Sequence, residues 1–177
     1  EVENLEKVFN AEYFSPQFFT VWVRDPSISN GSNTENGDLA VNVEFANDWH
    51  YRIAASGLGR TNENFKRDII DANGEGLGIP EMTVSLTADT VTLVVEKDSL
   101  NINLTNTEVI PVVGSENFGT FRNVGETAGE FNFGGARAGA TGNAPRVIDL
   151  ITPDGVSQVE ALAYNENNKA ILPFVSL

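Results

Sequence analysis

Alternation of apolar and polar residues is the feature that most limits what this chain can become. Leu39, Val41, Val43 and Phe45 are interleaved with Ala40, Asn42 and Glu44, and Trp49, Tyr51, Ile53 and Ala55 with His50, Arg52 and Ala54. Met82, Val84 and Leu86 repeat the pattern, as do Val91, Leu93 and Val95, and then Leu100, Ile102 and Leu104. Successive side chains of a strand point to opposite faces, so a period of two sends one set into a dry layer and the other into water. No segment carries a convincing apolar stripe at helical spacing. The best helical stretch, residues 61–71, offers Thr61 or Asn62 as a cap and Phe65, Ile69 and Ile70 as a face. Short strands punctuated by Gly- and Asn-rich turns predict an all-β fold: a single antiparallel β-sandwich, Ig-like, pilin-like or jelly-roll.

The chain divides into an arm and a body. In residues 1–15, Leu5, Phe9, Ala11 and Tyr13 alternate with Glu6, Val8, Asn10 and Glu12, which makes an extended, strand-competent arm. Pro16 cannot donate to a β-ladder and separates this arm from the next run, Phe19, Val21 and Val23. Residues 16–177 are the sandwich body. Within it, residues 114–142 are glycine-rich and hold Phe118, Phe121, Phe131 and Phe133, which predicts a short strand between loops anchored by the rings. Leu162 and Tyr164, the polar run 165–169 and the stretch 170–177 read as a closing hairpin.

Composition excludes several function classes. Twenty-five acidic residues against 11 basic ones give a net charge of −14, which repels nucleic acid and anionic membranes. No run of about 18 apolar residues is present to span a membrane. With no cysteine, there is no disulfide, thiolate nucleophile or sulfur metal site. The single histidine, His50, lies between Trp49 and Tyr51 on the expected outer face and reads as a plain surface residue. No Gly-x-Ser-x-Gly elbow exists. The expectation is therefore a protein without a catalytic centre or cofactor. Its first residues read as a mature terminus left after signal-peptide removal, which implies an extracellular or cell-surface location.

Three sets of residues merit inspection as sites. Asp71, Asn73 and Glu75 place oxygens at alternate positions before Gly76, as in the first half of a Ca2+ loop. Met82 occupies the position of the closing bidentate Glu, so a polar turn is the simpler reading. Asn30-Gly31-Ser32 and Asn103-Leu104-Thr105 are N-glycosylation acceptor motifs. Trp22, Trp49, Tyr51 and Tyr13 could serve as platforms for sugar rings, although Trp49 fits a core role better.

The order of Asn42-Val43-Glu44-Phe45-Ala46-Asn47-Asp48-Trp49, then residues 51–56, then Gly78-Ile79-Pro80-Glu81-Met82 resembles the secreted pilin-like sandwiches of spore-coat-U and related surface-filament proteins. That resemblance implies a subunit of an extracellular filament that polymerises head-to-tail with itself. Each copy's arm would insert into a vacant sheet edge of the next, with Leu5, Phe9, Ala11 and Tyr13 as plugs. The alternatives are a monomeric secreted binding module for carbohydrate or adhesion, and a viral jelly-roll structural protein.

Overall fold

The sequence QFFTVWVR, almost wholly β-branched or aromatic, forms the central strand of the larger sheet, β1 (Gln17–Arg24). The structure is a computed structural model and describes residues 17–35, 39–56, 67–85, 90–117, 119–130 and 132–177. The proposed arm, with Leu5, Phe9, Ala11 and Tyr13, lies outside the described residues, as do residues 61–66 of the helical candidate.

Beyond β1 come β2 (Ser32–Thr34), β3 (Glu44–Trp49), β4 (Tyr51–Ser56), β5 (Arg67–Asp71), β6 (Gly76–Gly78), β7 (Glu81–Ser85) and β8 (Thr90–Val94). The second half supplies β9 (Glu108–Asn117), β10 (Thr120–Phe121), β11 (Asn123–Val124), β12 (Asn132–Phe133) and β13 (Asp149–Leu150). A one-turn helix α1 (Gln158–Ala161) and the strands β14 (Ile171–Leu172) and β15 (Val175–Ser176) complete the chain. The large sheet has the order β10-β9-β1-β4-β5-β6, with β13 and β15 also on β9. A smaller sheet, β14-β3-β2, forms the second layer, and among the described residues β7 and β8 pair as a separate two-stranded sheet. The fold is an all-β sandwich, as the alternation predicts.

The two layers close on an apolar core. Phe18, Trp22, Ala54, Ile70, Ile110 and Val112 come from the large sheet. Leu39, Val41, Val43, Phe45 and Trp49 meet them from the other layer. The Phe45 ring bridges the two tryptophans, 5.0 Å from Trp22 and 6.4 Å from Trp49, and Phe18 packs 5.0 Å from Phe121. Each ring of this kind stabilises the fold by about 3 kcal/mol through area burial alone.

Several expectations need correction. The alternation at 39–45 is right in burial, with Leu39, Val41, Val43 and Phe45 all inside, yet β3 begins only at Glu44. Ala40 and Asn42 adopt left-handed conformations, φ 58° and 62°. The Glu35 carboxylate accepts from the N–H of Leu39 and of Ala40, and Asn42 Nδ2 donates to the carbonyls of Gly142 and Ala144. Local side-chain bonds thus replace a ladder while keeping the apolar residues inward.

The core face of β4 is the reverse of the one expected. Trp22 pairs with Arg52 and Thr20 with Ala54, so Arg52, Ala54 and Ser56 face the core, while Tyr51 and Ile53 face outward. Buried Arg52 is accommodated by an ion pair to Asp68, 2.7 Å away. Period two could not choose the face, because the outer side of this sheet is also apolar. Val21, Val23 and Ile53 share a hollow there with Leu100, Ile102 and Leu177. Leu100, Ile102 and Leu104 form no strand; a short 3-10 turn at Lys97–Ser99 precedes them, and a second, Leu104–Asn106, begins at Leu104 itself. Arg67–Asp71 is a strand, not the end of a helix. The single α-turn among the described residues is α1, fixed by reciprocal Ser157 and Glu160 hydrogen bonds. The closing run is no hairpin: β14 joins β3 in parallel and β15 joins β9, with Pro173 and Phe174 between them.

Candidate functional site

Where β1 ends, the chain folds a tight turn that walls a polar cleft. The Asp25 carboxylate organises this turn by accepting from Ser27 Oγ (2.6 Å), Ser27 N (2.9 Å) and Asn103 N (2.6 Å), and Ile28 N donates to the Asp25 carbonyl (3.0 Å). The Ser27 hydroxyl, then the Asn103 and Ser27 amides, hold Asp25 below the usual carboxylate range despite its burial. The turn presses onto β3 at Gly31. A Cβ there would lie 2.6 Å from both Asp48 Cβ and the Trp49 carbonyl oxygen, so only glycine permits the approach.

The opposite wall is an irregular stretch of β3. Ser32 pairs with Trp49 and Thr34 with Glu44, so β3 carries extra residues across from β2. This bulge turns Ala46, Asn47 and Asp48 all toward solvent, breaking the alternation between buried Phe45 and Trp49. Trp49 Nε1 donates to the Thr34 carbonyl (3.1 Å) and staples the two strands beneath the bulge. The resulting cleft, about 300 Å³, is lined by Arg24, Ile28, Asn33, Asn47, Asp48 and His50.

Arg24 is held in place from two sides. It forms an ion pair with Glu108, its cross-strand partner on β9, and its guanidinium lies 5.8 Å from the centre of the Phe174 ring. His50 is the corner residue between β3 and β4, and its N–H donates to the Val23 carbonyl (2.9 Å). Contrary to the surface reading, its side chain is 6% exposed and sits under the turn. Nδ1 accepts the Asp25 N–H (3.1 Å), which places the ring proton on Nε2. Nε2 is buried and has no well-aligned hydrogen-bond partner among the described residues, although the Ile28 carbonyl lies close to the ring. Burial first, then the Arg24 charge, pushes the His50 pKa down; Asp25, the Ile28 carbonyl and Asp48 offset this only in part.

The chemistry of the cleft is that of hydrogen bonding. Two primary amides, a carboxylate and a guanidinium supply donors and acceptors within one concavity, and the arginine's charge is already matched by Glu108. A second hollow, about 290 Å³, runs along Phe19, Val21, Pro111, Val113, Leu150 and Ile151. It offers few polar groups and suits a polar ligand poorly.

The other sequence-derived candidates fall elsewhere. Asp71 accepts from the N–H of Asn73 and of Glu75 (each 2.9 Å) and from Asn73 Nδ2 (3.1 Å), which makes the β5–β6 turn self-satisfied. Burial raises the Asp71 pKa, but the donors from Glu75, Asn73 and Gly74 outweigh it and leave the carboxyl below its usual range. Among the described residues, no group of three or more metal-ligating side chains is assembled. Asn30 and Asn103 are both exposed; the Asn103 side chain accepts from Thr105 N. Trp22 and Trp49 are wholly buried and are no platforms, and the half-buried Tyr51 has its hydroxyl engaged, accepting from Asn101 N (3.2 Å). Tyr13 lies outside the described residues. Sequence reasoning missed Arg24, Asn33, Asn47 and Asp48. The one signal available was the failure of alternation at 47–48, where Asn47 and Asp48 stand in succession.

Comparison with known proteins replaces the pilin-like resemblance. The model of the family described as the SLH-like C-terminal binding module of glucodextranase matches residues 1–175. The chain belongs to that family. No curated protein matches it. The support for arm insertion between copies rested on that resemblance and goes with it.

Proposed function

We propose that this family member is a non-catalytic binding module that holds a neutral polysaccharide at a cell surface, using the cleft between the 25–31 turn and the β3 bulge. The observation that carries the reading is the convergence of Arg24, Asn33, Asn47 and Asp48 on one concave, polar surface of about 300 Å³. Sugar hydroxyls donate and accept at once, and amides paired with a carboxylate answer both demands. The chain's net charge of −14 disfavours anionic polymers by long-range repulsion. Glucodextranase in the family description makes α-glucans such as dextran the first ligands to try. A binding role without chemistry is also supported by the state of His50, whose ring is occupied on one side and buried on the other.

Calorimetric titration with dextran and a panel of other neutral polysaccharides tests this reading. Saturable binding that is weakened about ten-fold or more in the Asn33→Ala/Asn47→Ala variant is expected, since each amide supplies hydrogen bonds worth about 0.5–1.5 kcal/mol. Unchanged affinity in that variant, or no binding across the panel, overturns it.

A further inference from the structure

The same hydrogen bond that fixes the His50 tautomer makes the cleft wall dependent on the ring's protonation. The Asp25 N–H is the first donor of the 25–31 turn, and it is spent on Nδ1 at 3.1 Å. A neutral imidazole has one nitrogen free to accept; an imidazolium has none. A proton taken from solvent onto Nδ1 would therefore set two donors against each other inside a buried contact. The turn cannot retreat without consequence, because Gly31 is seated directly against Asp48, Trp49 and His50. Ile28 lies on the turn itself and lines the cleft.

We infer that His50 is an acid-sensitive latch: protonation of its ring breaks the Asp25 N–H···Nδ1 bond, releases the 25–31 turn from β3 and weakens ligand binding in the cleft. This rests on the cleft being the binding site. The charged groups facing the ring are Arg24 from β1, Asp25 from the turn and Asp48 from the bulge of β3, with Glu108 of β9 reaching it through Arg24. Arg24 opposes protonation, whereas Asp25 and Asp48 favour it. The donors around Asp25 hold its own pKa below the usual carboxylate range.

His50 is the chain's single histidine, so its imidazole resonances need no assignment. Nitrogen-15 spectra of the intact labelled protein, recorded from about pH 7.5 to about pH 4.5, give the tautomer, the ring midpoint and the amide shifts of residues 25–31 together. The expected result is an Nε2–H tautomer at neutral pH and turn amides that move with the ring's midpoint, below the usual 6.5. Dextran affinity should fall about three- to ten-fold across that midpoint, the worth of a lost hydrogen bond and a loosened wall. His50→Gln, which keeps an acceptor that does not titrate, should show no such step with pH, whatever its affinity at neutral pH. Turn amides that ignore the ring titration overturn the latch, as does an affinity that stays level while the ring titrates. If dextran fails to bind at any pH, the cleft reading fails on its own account, and the amide shifts still decide whether the latch exists.

Discussion

Replacing Gly31 by alanine adds one methyl group at the closest approach between the 25–31 turn and β3. That carbon would lie 2.6 Å from Asp48 Cβ, 2.6 Å from the Trp49 carbonyl oxygen and 3.1 Å from His50 Cδ2. Restoring an ordinary contact of about 3.4 Å requires a retreat of roughly 0.8 Å. The carbonyl cannot give way, because Trp49 is wholly buried, pairs with Ser32 and is stapled to Thr34. The turn must therefore move, and the Asp25 N–H···Nδ1 bond lies in its path. Overpacking of this kind costs about 1–3 kcal/mol. Gly142→Ala is the matched control: its added carbon meets nothing within 4 Å and the backbone there is ordinary. It should be neutral, or stabilise by about 0.4–1 kcal/mol through loss of freedom in the unfolded chain. Urea denaturation of the two variants beside the parent reads the difference directly, provided the slope is unchanged. Equal midpoints for Gly31→Ala and the parent would show that the turn is not seated on β3, and the geometry of the cleft would have to be redrawn.

Phe45→Ala removes the ring that joins Trp22 to Trp49 and should cost about 3–5 kcal/mol in the same urea assay, with cooperativity retained. Stability should fall in acid in two stages. The His50 pKa is depressed by folding, so its contribution is complete above the usual 6.5 and is lost as pH falls through the lower folded value; His50→Gln should remove this first stage. Asp25 and Asp71 are also depressed, so theirs is complete above the usual 3.8 and is lost only below it, which stability curves at stepped pH will separate. Asp71→Ala should cost about 1 kcal/mol at neutral pH, and its gap from the parent should close in strong acid. Added CaCl2 should leave the melting temperature where it is, because the Asp71 oxygens already serve the turn's own donors; a rise would reinstate Asp71, Asn73 and Glu75 as ligands.

The alternating pattern by itself determined that this chain builds sheets, that Phe45 and Trp49 go inside, and that the sequence around Asp71 turns. These are local consequences of side-chain direction and of residues that satisfy their own backbone. Which face of β4 is dry was decided only by packing, since both sides of the large sheet are apolar and Arg52 is drawn inward by Asp68 across the ladder. His50 is buried because the 25–31 turn closes over it, and nothing in its immediate neighbours announces that turn's path. The cleft is likewise a product of assembly. Arg24, Asn33 and Asn47 come from three strands, and a bulge that no period-two count can contain brings them together. A strand's sequence encodes two faces; which of them meets a partner, and where the ladder slips, depends on residues far along the chain.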